Sequence, residues 1–72
     1  MTTPEIPKCH IARMELEKDA LMSKINNLRA FINHNPRFLE QESIQQILMG
    51  DQLCAMLKYA DILTQRINAA KL

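Results

Sequence analysis

"INHNPRF", Ile32 to Phe38, is the place where the helical pattern of the chain breaks. Asn33 and Asn35 are residue types that end helices and open turns. Pro36 removes a backbone donor and pushes Asn35 out of helical geometry. On both sides of this corner, residues recur at spacings of three and four. Upstream the row is Ile11, Met14, Lys18, Leu21, Ile25, Leu28 and Ile32, with Lys18 its one polar member. Downstream it is Met49, Leu53, Met56, Ala60, Leu63, Ile67 and Ala70. Rows of this period are helix faces that seek a partner helix. The spacing predicts a single all-α domain over 1–72: a helix over about 7–33, a corner over about 34–42 and a helix over about 43–70. A short connection makes such helices antiparallel neighbours, so the expected unit is a two-helix hairpin.

Two local signals refine the second helix. "SIQQ", Ser43 to Gln46, has the form of a capping box, which predicts a start at Ser43. Gly50 costs a helix about 1 kcal/mol relative to Ala. The seam nevertheless passes through Gly50 without a slip, so one continuous helix is expected. Pro36 to Glu42 then forms a short helical turn or an ordered loop.

The charges of the chain exclude several function classes. Nine Lys or Arg stand against eight Asp or Glu, and no basic stripe marks a binding face for a nucleic-acid polymer. No apolar run has membrane-spanning length, and "MTTPEIPKCH" lacks the apolar core of a signal peptide. The expectation is a cytoplasmic protein whose two cysteines stay reduced. In a hairpin, Cys9 lies near the open end and Cys54 lies opposite the later part of the first helix, too far apart for a disulfide. Cys9 and His10 are adjacent, and neighbouring helical residues point in different directions, so no metal site is expected. There is no serine–histidine–acid set, no glycine-rich phosphate loop and no carboxylate pair placed for hydrolysis. The expectation is therefore a protein without enzymatic activity or cofactor. His34 and Arg37 at the corner read as solvated loop residues or partner contacts. Met14, Met22, Met49 and Met56 suit adaptable packing or an adaptable groove.

One helix–helix seam gives a chain of this size little core. The second helix also has apolar residues beyond its seam. With Met49, Met56, Leu63 and Ala70 at heptad position d, Leu48, Ala55, Ile62 and Ala69 fall at c and Leu57 at e. So wide an apolar arc calls for a second neighbouring helix, and self-association into a helical-bundle oligomer is expected. Inside this arc, at g, stand Gln52, Tyr59 and Arg66. The first helix carries His10, Glu17, Lys24 and Phe31 at g. The g rows of antiparallel helices share one side of the seam, so Glu17 is expected near Arg66, Lys24 near Tyr59 and Phe31 near Gln52. The simplest account is structural: a Glu17–Arg66 salt bridge sets the register, and the Lys24 stem packs on Tyr59. The sharper account is a ligand pocket, in which Arg66 and Lys24 take a phosphate, Tyr59 a ring and Gln52 its polar edge.

The pattern "EKDALMSKINNLRAFI", a break containing "RF", then "QLCAMLKYADILTQRI" resembles a family of small helical-hairpin proteins encoded by bacteriophages. The resemblance rests on Glu17, Leu21, Lys24, Ile25, Leu28, Phe31 and Ile32, then Phe38, then Gln52, Met56, Tyr59, Leu63, Arg66 and Ile67. It implies a small oligomer in the host cytoplasm that antagonises host defence. The expectation drawn from it is sequestration of a nucleotide immune signal between subunits, at Lys24, Gln52, Tyr59 and Arg66. The alternative is an inhibitor or adaptor that docks its apolar helix face on a host protein and takes no small ligand. A virion or assembly component is a third reading.

Overall fold

The computed structural model describes the backbone of residues 6–72 and the side chains of residues 10–72. The side chain of Cys9, and with it the disulfide and metal expectations, lies outside what is described. Helix α1 spans Ile6–His34, a short 3₁₀ turn spans Pro36–Glu40, and helix α2 spans Ser43–Lys71. No strand occurs among the described residues. The two helices pack along each other as a rod of 54 × 19 × 15 Å.

Antiparallel packing follows from cross-helix contacts on both flanks. On one side Arg66 Nη2 lies 3.5 Å from His10 Nε2. On the other, Lys71 Nζ lies 3.1 Å from Glu15 Oε2. Between them runs the seam. Met14, Leu21 and Ile25 of α1 are buried against Ala60, Leu63 and Ile67 of α2, and Ile11, Met22, Leu53 and Met56 pack around them. Ile25 and Leu63 are completely enclosed. Every residue of the two predicted rows is at least half-buried except Ala70, which is exposed near the open end. Lys18 keeps its place in the row and is half-buried, its stem covered and its charge able to reach water.

The corner is a chain of local hydrogen bonds. Asn35 is extended (φ −97°, ψ 119°), as a residue before proline should be, and Pro36 opens the 3₁₀ turn. The Arg37 amide donates to Asn35 Oδ1 at 2.9 Å, which caps that turn. Phe31 and Phe38 meet edge to face, with centroids 6.2 Å apart. At the start of α2 the capping box does not form. Glu42 takes the N-cap position without a side-chain cap. The Gln46 amide instead reaches back to the carbonyls of Gln41 (3.0 Å) and Leu39 (3.5 Å). Extended backbone at Glu42 makes Ser43 the first helical residue, so its hydroxyl is one position too late to cap. α2 runs unbroken through Gly50, where an added Cβ would meet nothing within 4 Å.

Candidate functional site

Seven-residue spacing sets Gln52, Tyr59 and Arg66 on one side of α2, each about 10 Å from the next at helical rise. Together with Leu48, Ala55, Ile62 and Ala69 they form a second row, 48–52–55–59–62–66–69, again spaced four and three. It is rotated away from the seam that α1 covers. Every member is exposed: Leu48 is 50%, Ile62 43% and Tyr59 43% accessible. The hairpin thus leaves a mixed apolar and polar strip of α2 uncovered along much of its length.

Three of the four predicted ligand residues lie on this strip, and Lys24 lies exposed on α1. Within one chain they do not converge into a hollow. The Gln52 amide turns to the Met56 sulfur at 3.9 Å. Arg66 faces the His10 imidazole across the mouth of the hairpin, with Nη2 and Nε2 3.5 Å apart. The expected Glu17–Arg66 salt bridge is replaced by this contact, one heptad nearer the open end. The g rows do share one side of the seam, as His10 and Arg66 show. Glu17 and Arg66 are both exposed, and an exposed ion pair gains only about 0–1 kcal/mol, too little to select one partner.

Two hollows lie elsewhere. One, about 510 Å³, opens beside the corner among Asn27, Ala30, Phe31, His34, Asn35 and Pro36. The other, about 370 Å³, lies on the e-side flank among Glu15, Lys18, Asp19, Thr64, Ile67, Asn68 and Lys71, and holds the Lys71–Glu15 ion pair. Lys18, the one polar residue in the seam row, was the signal for the second. The first had none, because its shape depends on how the 3₁₀ turn folds back on Phe31. No group of three or more metal-ligating side chains occurs among the described residues. No helix there is long and apolar enough to cross a membrane.

Comparison with known proteins adds a family to this geometry. The family model for Sequestin matches residues 8–69, which include the seam as far as Ile67, the corner and the whole polar row. A protein of Enterobacteria phage T4, described as an uncharacterized 7.5 kDa protein in the denB-rIIB intergenic region, is 39% identical over 60 residues. That alignment covers 83% of this chain and 92% of the phage protein. No solved structure matches.

Proposed function

Because this chain belongs to the Sequestin family, we propose that it is a small phage-encoded binding protein, without catalytic activity, that antagonises host defence by sequestering a nucleotide-type immune signal. The pocket lies between subunits of an oligomer, with Arg66 and Lys24 holding phosphate, Tyr59 stacking on a ring and Gln52 reading its edge. One observation carries the reading: three polar side chains stand at seven-residue intervals inside an otherwise apolar strip, and all three are exposed in the single chain. A strip meant only for water has no need of Leu48, Ala55 and Ile62. A strip meant only for packing has no need of an arginine fork. The family name speaks of sequestration, and the T4 relative supports a phage source.

The test is native mass spectrometry of protein purified gently from cells, followed by titration with nucleotides. The expected result is an oligomer that binds a nucleotide at micromolar concentration and loses it in Tyr59→Ala and Arg66→Ala. A protein that binds no nucleotide, and whose variants change stability alone, overturns the reading. The exposed Leu48 and Ile62 favour a second reading, a helical inhibitor docked on a host protein. It predicts a retained protein partner and no small molecule.

A further inference from the structure

We infer that the corner end of the hairpin is a docking face for a basic amphipathic helix of another protein, seated on the first two turns of α2. The inference goes beyond the nucleotide reading and does not depend on it. Ile47 and Arg66 are about 28 Å apart at helical rise, so this face and the proposed phosphate fork are separate places.

Spacing defines the face. Ile44, Ile47, Leu48 and Asp51 stand at i, i+3, i+4 and i+7, which gathers them on one side of α2. The seam residues Met49 and Leu53 lie roughly half a turn around the helix from that side. Ile44, Ile47 and Leu48 therefore point away from α1. They are 55%, 60% and 50% exposed, and Leu39 of the 3₁₀ turn is 76% exposed. Single exposed apolar residues are ordinary, but a run of them on one face marks a contact surface. The corner beside this face is tied down. Gln46 donates its side-chain amide to the carbonyls of Leu39 and Gln41. The Gln41 side-chain amide in turn donates to the Arg37 carbonyl at 3.3 Å. These bonds hold the Leu39 backbone beside the first turns of α2, so a partner meets a surface that is already formed.

Charge selects the occupant. Glu40, Glu42 and Asp51 are exposed around the apolar residues. These three carboxylates against the single cation Arg37 give residues 36–51 a net charge of −2, in a chain whose net charge is +1. The N-terminus of α2 offsets this by about half a unit charge, which leaves the face acidic. A second copy would set acidic rim against acidic rim, and an anionic bilayer surface is disfavoured for the same reason. A helix with leucine, isoleucine or methionine on one side and lysine or arginine along its flanks satisfies both the apolar centre and the acidic rim.

The test uses full-length protein and two fluorescently labelled helical peptides with leucines at three-and-four spacing. One peptide has lysine at all remaining positions and the other has glutamate. Fluorescence anisotropy is expected to show micromolar binding of the lysine peptide, weakened by added salt, and no binding of the glutamate peptide. Ile44→Ser combined with Ile47→Ser is expected to raise the dissociation constant about tenfold or more, with helicity by circular dichroism and nucleotide affinity unchanged. Glu40→Lys, Glu42→Lys and Asp51→Lys together are expected to reverse the preference toward the glutamate peptide. Equal binding of both peptides, or no loss in the isoleucine double variant, overturns the proposal. So does a shift to a smaller species in sedimentation velocity when the two isoleucines are replaced, which assigns the face to a second copy. Peptide binding without nucleotide binding removes the sequestration reading and leaves the docking face. Nucleotide binding without peptide binding does the reverse.

Discussion

Leu63 and Ile62 are neighbours in sequence and similar in size, yet Leu63 is fully enclosed and Ile62 is 43% exposed. They represent the two faces of α2. The inner face is apolar and α1 covers it. The outer face has the same periodicity, but every second member of its row is polar and none of the described residues lies over it. Apolar periodicity alone therefore marks where a helix wants a neighbour. Whether that neighbour belongs to the same chain depends on what the hairpin has already covered.

Mutations on the two faces should separate these roles. The largest effect is expected at the inner face. Leu63→Ala removes a side chain at 0% exposure and should lower the unfolding free energy by about 2–5 kcal/mol, read from urea denaturation. Ile62→Ala should destabilise in a manner that depends on protein concentration, because it weakens association in place of the hairpin core. Equal, concentration-independent losses at both sites would erase the distinction between the faces. Arg66→Ala should weaken nucleotide binding at least tenfold, about 1.4 kcal/mol or more at the ligand. At the corner, Asn35→Ala removes the acceptor for the Arg37 amide and should cost about 1 kcal/mol. Gly50→Ala should stabilise by up to about 1 kcal/mol in a thermal melt, since the new methyl group enters open space on a continuous helix. The smallest effect belongs to the flank: Lys71→Met, which breaks an ion pair about half exposed on each side, should change stability by no more than about 0.5 kcal/mol and less in high salt.

The fold was legible because its signals are repeated. Two rows with a four–three period, one proline corner and a short connection all point to an antiparallel hairpin, and burial of Met14, Leu21, Ile25, Ala60, Leu63 and Ile67 follows the rows. The candidate site was legible only as a row. Placing Gln52, Tyr59 and Arg66 on one side of α2 needs nothing beyond helical geometry. Their partners were harder to read, since a polar contact at the surface differs from its alternatives by less than about 1 kcal/mol.

That difference in energy separates what the sequence determined from what the tertiary structure decided. The sequence determined the two helices, the seam between them, the corner at Asn35–Pro36 and the outer strip, because each rests on many residues that agree. Tertiary structure decided that Arg66 faces His10 instead of Glu17 and that Gln46 turns back to the corner carbonyls instead of closing a capping box. It also set Phe31 edge-on to Phe38 and left the end of the seam open at Ala70. Each of these depends on a single side chain choosing among near-equal contacts, and only the packed backbone brings one of them within reach.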